Sequence, residues 1–404
     1  MNILLITGQY PPEIRAISFM IQELAEHFSG KGHDVTVITS MPQPELVVNE
    51  IDIKTPLVDI ENGVKVIRVK IPFKIRKGYV HKALNQLSMS ILFFKEIKRL
   101  VRKEIDAVIV YTPELPLGLV GLKVKKLYRA MFLLNVQDIF PQNAIDLGIL
   151  RNKYLIKFFE AMERRIYTGA DRITSHTDGS RKFLINNKNI PKEKISTVSN
   201  WLNLKSYKYA KTKNYFRKEY GLENRFIFLS AGIIGPSQNL DFIIQIAGMI
   251  TDIPEICFLL VGDGSEKKRL KNLAKNYKLN NIVFKGFVSN VEYPKLAKEV
   301  DVGLLSLSKK NKTPVMPGKI LGFMAASLGI VAFLHKESDG HNLIKVAQCG
   351  YSIVPDNPED AANLIRRIYN EQDNLKILGE NGYRYASQHF SKDVCLRKFD
   401  QIIK

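Results

Sequence analysis

Short apolar runs alternate with amphipathic stretches along nearly the whole chain, and no other feature narrows its fold as far. "NILLIT" is followed by a helical pattern over 17–30 and then by "DVTVITS", the β-α-β rhythm of a parallel sheet covered by helices. Strand candidates continue with "VKVIRVK", "DAVIVYT", "MFLLNVQD", "DRITSHT" and "KISTVSN", and helical patterns at 82–103, 116–127 and 153–167 fill gaps between them. After a tract rich in Lys, Tyr and Asn near 201–214 the rhythm restarts with "FIFLSAG", "CFLLVGDG", "NIVFKGF", "VDVGLLSL" and "GIVAFL". At 404 residues the chain also exceeds what one core organises. Two doubly wound, Rossmann-like α/β domains are therefore expected, over 1–205 and 206–385, with a linker near 201–214. A helical segment at 386–404 is placed to cross back over the first domain.

Composition excludes several classes. With 45% hydrophobic and 25% charged residues the chain is neither disordered nor fibrous. Three cysteines without zinc-type or C-x-x-C spacing read as buried free thiols of a reducing compartment. The start lacks the basic segment and cleavage site of a signal peptide, and the longest uncharged apolar run, 320–334, is too short for a membrane helix. The net charge of +20, from 60 basic and 40 acidic residues, implies attraction to polyanions without choosing among nucleic acid, acidic lipid and phosphorylated substrates.

Open α/β sheets bind ligands outside the carboxyl ends of their strands, so the loops there carry the candidate chemistry. After the first strand, "TGQYPPEIRAIS" offers helix amides and Arg15 to a phosphate, or is a surface loop held by two prolines. "IIGPSQNLDFIIQIA" forms a phosphate-sized turn bracketed by Gly232 and Gly235, while capping by Ser237 or Asn239 would equally explain those residues. "VGDGSEKKRL" is a turn leading into a helix. In "FKGFVSN", an aromatic and exposed backbone amides could hold a flat base, although Phe287 judged alone reads as core. Asp138 follows a strand in "NVQDIFPQNAIDLGIL", where it either orients a hydroxyl and moves a proton or caps a short helix. "MPGKILGFMAASLG" opens an uncharged apolar helix with Pro317, Gly318 and Lys319; a lone cation in a first turn, against the helix dipole, suggests a bound anion or a side chain extended to solvent. Asp-x-Asp, H-E-x-x-H, Walker-type and G-x-S-x-G motifs do not occur.

Four blocks, in order, resemble the retaining glycosyltransferases of family 4, which have the GT-B fold of two Rossmann-like domains facing across a cleft. They are "YPPEIRAIS" with "GKGHDVTVIT", then "VQDIFPQNAIDLGIL", then "AGIIGPSQNLDFII" with "FLLVGDGSEKKRL" and "IVFKGFVSN", and finally "MPGKILGFMAASLGIVA". The second resembles the "DLWPES" block of bacterial capsule and O-antigen members, and the last the "PSKLYEYMAAGKPVIA" block. The resemblance implies a sugar nucleotide held mainly by the second domain and an acceptor bound by the first. Phe287 and Val288 would lie by the base, the loop from Gly235 through Ser237 and Gln238 by the diphosphate together with Pro317, Gly318 and Lys319, and Asp339 and Gly340 by the sugar. Arg15 and Asp138 would face them. Two positions depart from the pattern: Pro236 and Ser237 replace a basic residue, and Gly322 replaces an acidic one.

The expected protein is a cytoplasmic retaining glycosyltransferase at the inner membrane face. It would move a sugar, an N-acetylated deoxyhexose fitting the family context, from a UDP-linked donor to a polyprenyl-linked glycan of capsule or O-antigen synthesis. Neither cofactor nor metal ion is expected, because no Asp-x-Asp is present to hold one. The basic, apolar segment 73–103 is the expected contact with anionic membrane, a solvated basic helix face being the alternative. The rivals are a UDP-sugar epimerase sharing the GT-B fold and a basic nucleic-acid-binding protein.

Overall fold

A computed structural model describes residues 1–13, 16–42, 56–71, 79–101, 103–210 and 212–403, with the side chains of residues 16 and 79–84 outside the description. Two compact units emerge, Met1–Ser199 with Leu396–Lys404, and Asn200–Cys395.

The first unit runs β1 (Asn2–Thr7), α1 (Ala16–Gly30), β2 (Asp34–Ser40), β3 (Val58–Glu61), β4 (Val64–Val69), α2 (Tyr79–Leu100), β5 (Ala107–Tyr111), α3 (Leu117–Tyr128), β6 (Met131–Val136), α4 (Gln142–Asp146), α5 (Lys153–Gly169), β7 (Arg172–Ser175), α6 (Asp178–Lys188) and β8 (Ile195–Thr197). Its sheet has the order β3-β4-β2-β1-β5-β6-β7-β8, parallel except for the β3–β4 pair. Uninterrupted burial of β5 matches its continuous apolar sequence, as expected of a strand covered on both faces. β3 escaped the sequence reading. It is the outer arm of a hairpin turned by Asn62 and Gly63, both at positive φ, the N-G signature of a two-residue turn.

The second unit runs α7 (Leu204–Lys208), α8 (Tyr215–Tyr220), β9 (Phe226–Ala231), α9 (Leu240–Met249), β10 (Ile256–Val261), α10 (Lys267–Asn276), β11 (Ile282–Lys285), α11 (Tyr293–Ala297), β12 (Val302–Ser306), α12 (Lys319–Ala325), β13 (Gly329–Phe333), α13 (Asp339–Ala347), β14 (Gly350–Ile353), α14 (Pro358–Asn370) and α15 (Asp373–His389). All six strands are parallel, in the order β11-β10-β9-β12-β13-β14. The tract near 201–214 is not a bare linker: it carries α7, whose Tyr207 joins the unit's core. Its apolar residues, Trp201, Leu202, Leu204, Tyr207, Tyr209 and Ala210, are spaced too irregularly among lysines to show a period.

The last helix, α16 (Lys392–Ile402), starts in the second unit and ends in the first. Asp400 anchors its end to α1, 2.9 Å from His27 and 2.5 Å from Lys31. None of the three cysteines forms a disulfide, and all are buried. Among the described residues no helix is long and apolar enough to cross a membrane.

Candidate active site

Strand order fixes where each unit can hold a ligand. In the second unit the chain leaves β9 towards β10 and β11 on one side and later returns to β12, β13 and β14 on the other. The loops after β9 and β12 therefore diverge and leave a crevice between them.

The β9 loop contains a single 3-10 turn, Pro236–Gln238, followed by Asn239 in the left-handed region at φ 46°. Neither Ser237 nor Asn239 caps α9, contrary to that expectation, because Asn239 is turned away from the geometry a capping side chain needs. The loop is held by backbone and hydroxyl bonds to β12 and the residues beyond it: Ser308 N donates to Ser237 O at 2.9 Å, and Ser306 Oγ to Asn239 O at 3.2 Å. Behind it lies the β10 loop, with Ile234 N donating to Asp263 O at 2.8 Å. A Cβ at Gly262 would fall 1.8 Å from Gly232 O, so the glycines of "VGDG" serve the contact between these two loops.

Lys319 enters this loop from the first turn of α12. Its stem passes Gly232, where a Cβ would lie 3.1 Å from Lys319 Cε, and Nζ donates to Gln238 Oε1 at 2.6 Å. No carboxylate pairs with it among the described residues. Burial without a counter-charge pushes its pKa down from 10.5 to about 8. The side chain is thus folded inward rather than extended to solvent. α12 has only seven residues, and the amides of Ile320 and Leu321 are bonded to Pro317 and Gly318, so the lysine's full charge outweighs any helix dipole here. Pro317 is buried, whereas Gly318 is exposed with open space beside it.

Asp339 opens α13, whose cap is Ser338: its Oγ accepts from Gly340 N at 3.2 Å and donates to Val315 O at 2.6 Å, tying α13 to the segment that leads into α12. Gly340 is buried, where a Cβ would meet Leu334 and Ile320. Its place is in the packing under the site. Asp339 is half-buried and its Oδ2 is enclosed without a hydrogen-bond partner, leaving an acceptor for a ligand hydroxyl. Phe287 is 54% exposed in the loop after β11, against its reading as core, while Val288 packs on the core beneath. Both lie at the carboxyl edge of the same sheet, two strands from β9.

The position of the missing acidic residue has a steric explanation. A Cβ at Gly322 would stand 3.2 Å from Tyr207 Oη and 3.2 Å from Tyr293 Cε1, so two phenol rings fill the space a longer side chain would need. Burial pushes both phenol pKa values upward, so both retain their protons.

In the first unit the order reverses between β1 and β5. The loops after these strands meet where Gln9 Nε2 donates to the buried Glu114 Oε1 at 3.0 Å. A polar chain continues along the carboxyl edge: Thr112 Oγ1 accepts from Gln137 N at 3.2 Å, Gln137 Nε2 donates to Asn135 Oδ1 at 2.6 Å, and Asn135 Nδ2 to Thr174 Oγ1 at 3.0 Å. Asp138 stands exposed at the end of this chain. It does not cap α4, whose cap position is Pro141 without a side-chain bond. Arg15 lies outside the described residues. Glu114, Gln9 and Thr112 were not singled out from sequence; the available signal was a carboxylate and hydroxyl in "YTPEL" directly after a buried strand.

Residues 212–385 match the family model described as glycosyl transferases group 1, and residues 16–201 the one described as glycosyl transferase 4-like domain. A glycosyl transferase of Escherichia coli (strain K12), WcaI, named for colanic acid biosynthesis, is 25% identical over 332 residues, covering 80% of this chain and 81% of its own. Among solved structures, sucrose-phosphate synthase from Thermosynechococcus elongatus superposes with a TM-score of 0.79 at 14% identity, covering 100% of this chain and 98% of that one. Anabaena HepE in complex with UDP-glucose gives 0.72 at 15% identity, covering 100% and 99%. At these identities the structural likeness shows a shared fold.

Proposed function

The chain belongs to the GT-B glycosyltransferases, and on that premise we propose that it moves a sugar from a UDP-linked donor, with retention at the anomeric carbon, to a lipid-linked glycan of a bacterial surface polysaccharide. The observation that carries the donor half is Lys319: a desolvated cation, bonded only to a neutral amide, at the strand-order reversal of the second unit. As the bond from C1 to the diphosphate oxygen breaks, UDP takes the electron pair and gathers charge, and the acceptor oxygen bonds to C1 while its proton passes to an oxygen of the departing diphosphate. A fixed cation beside the diphosphate favours that transition state most when water is excluded. Asp339 Oδ2 takes a sugar hydroxyl, and the exposed face of Phe287 stacks on the base. With Gly322 and two tyrosines in place of a carboxylate, the site suits a sugar with fewer hydroxyls, such as an N-acetylated deoxyhexose. WcaI's name supports the polysaccharide role and the HepE complex supports the UDP donor. The lipid-linked acceptor places the enzyme at the cytoplasmic face of the membrane.

A thermal-shift series tests the donor class, since a ligand that binds only the native state raises its melting temperature. UDP and UDP-sugars are expected to raise it equally with and without excess EDTA, with ADP and GDP giving smaller shifts. A shift that vanishes with EDTA and returns with manganese would replace Lys319 by a metal as the counter-charge. A free epimerised nucleotide sugar as product would establish the epimerase instead.

Asp138 is proposed to orient the acceptor hydroxyl or the donor sugar. Asp138→Asn is expected to lower turnover by well over tenfold, general acid-base groups contributing about 10²- to 10⁴-fold, with little loss of thermal stability, because the residue is exposed. Near-normal turnover would remove it from the site.

A further inference from the structure

In the segment 73–103, read from sequence as the membrane contact, the side chains described from residue 85 onward place most of their apolar surface in the core. Phe93 and Ile97 of α2 are fully buried, Leu87, Met89, Leu92 and Phe94 pack against the same core, and Ile91 is the large apolar residue left exposed on the helix's described part. Residues 72–78 lie outside the described ones.

α5 presents the opposite pattern. Its inner face buries Phe159, Met162 and Ile166, while Tyr154 is 85% and Phe158 47% exposed. Tyr154, Phe158, Ala161 and Arg165 follow spacings of four, three and four, which on a 3.6-residue helix put them in one outward stripe. Lys157 and Arg164 flank the stripe and are exposed as well. Glu163, the acid nearest these arginines in sequence, turns inward onto Lys188 at 2.8 Å, so it does not offset their charge outside. Beside the last turns, Arg164 and Arg165 line a shallow cavity of about 570 Å³ with Leu122 and Ala161. Aromatic side chains beside basic ones along one helix face suit the boundary between acyl chains and anionic headgroups.

We propose that the outward face of α5 is the surface by which this enzyme docks on an anionic membrane, Tyr154 and Phe158 entering the interface and Arg164 and Arg165 meeting headgroup phosphates. The inference rests on the lipid-linked acceptor proposed above. Topology makes the two compatible: α5 connects parallel strands β6 and β7, so its first turns lie at the carboxyl edge of the sheet, the edge that carries Asp138. The occupant is lipid rather than a protein because Lys157, Arg164 and Arg165 are exposed along this 17-residue helix beside the outward aromatics, while its two acids are the half-buried Glu160 and the buried Glu163.

Flotation of the full chain with vesicles decides it. The parent is expected to bind vesicles containing phosphatidylglycerol, to release them in high salt, and not to bind phosphatidylcholine alone. Tyr154→Ser with Phe158→Ser, and separately Arg164→Glu with Arg165→Glu, should each lower the partition coefficient about tenfold, consistent with the loss of interfacial anchoring and charge attraction. Lys95→Glu with Lys98→Glu on α2 should change it less than about threefold, the smaller effect of distant charges. All variants should keep the parent's melting temperature, since every changed side chain is exposed. If the parent binds but the α5 variants bind equally well, the α5 assignment is overturned while membrane attachment stands. If the parent binds no anionic vesicle, both fall. A dimer in sedimentation that the α5 changes dissociate would assign this face to a second copy instead.

Discussion

Replacing Lys319 by methionine is expected to weaken UDP binding by about ten- to a hundredfold and to raise the melting temperature of the ligand-free protein. The loss follows from removing a hydrogen bond to a charged group, which contributes about 1.5 to 3 kcal/mol. The gain follows from the lysine's surroundings: a half-buried ammonium bonded to Gln238 Oε1 and lacking a counter-charge costs more than an apolar chain of the same length. A residue that binds ligand at the expense of stability shows this opposite pair of effects, whereas a structural lysine loses both. The pH dependence has a definite direction. Between pH 8 and 10.5 the folded protein holds fewer protons at this residue than the unfolded chain does, so the residue's contribution to stability is least favourable below pH 8 and improves as pH rises towards 10.5. Diphosphate prefers the charged form, so affinity should be greatest below pH 8 and decline above it. Lys319→Met should flatten that decline. Calorimetry with UDP across this range checks both: unchanged affinity would place the anion elsewhere, and a less stable variant would make the lysine structural.

What could be read in the sequence was whatever has a local period or a local exception. Uniformly apolar strands such as β5 and β10 announce themselves, and so does a cation opening an apolar helix. The partner of that cation does not: Gln238 is 81 residues away, and only the strand order β9-β12 makes them neighbours. Glu114 and Gln9 stayed hidden for the same reason, being 105 residues apart and joined by the neighbouring strands β1 and β5. Phe287 judged alone reads as core because an aromatic after a strand usually is, whereas the resemblance sets it beside the base; its exposure departs from the first reading only. β14 was missed because its four residues, Gly350–Ile353, are half-buried at the sheet edge and show neither a long apolar run nor clear alternation. Bulky and basic residues are dense over 73–103, and that density is what reads as a membrane contact from sequence. Density does not tell a core-facing stripe from an exposed one when both share a helix.

Restoring a carboxylate with Gly322→Glu is expected to destabilise the protein by about 2 to 4 kcal/mol, the combined scale of overpacking and of burying a charge without a matched partner. The first carbon alone would stand 3.2 Å from Tyr207 Oη and from Tyr293 Cε1, and the rest of the chain must displace one of those rings. Tyr207 is held in the core, and Tyr293 meets it edge-on at 6.4 Å between centroids, so moving either disturbs both. A partner for the new charge exists only one turn away, at Lys319, and recruiting it would take the ammonium from the diphosphate. UDP should therefore give a smaller thermal shift in this variant even where it remains folded. Truncating Tyr293 to alanine in the same chain opens the space the glutamate needs, so the two changes together should cost less than the sum of each alone, by about 1 kcal/mol or more, as coupled neighbours do. Strict additivity in denaturant unfolding would show that the tyrosines do not explain the glycine. A parent-like Gly322→Glu would show that the site had room for the carboxylate all along, and the glycine would then say nothing about the hydroxyls of the donor sugar.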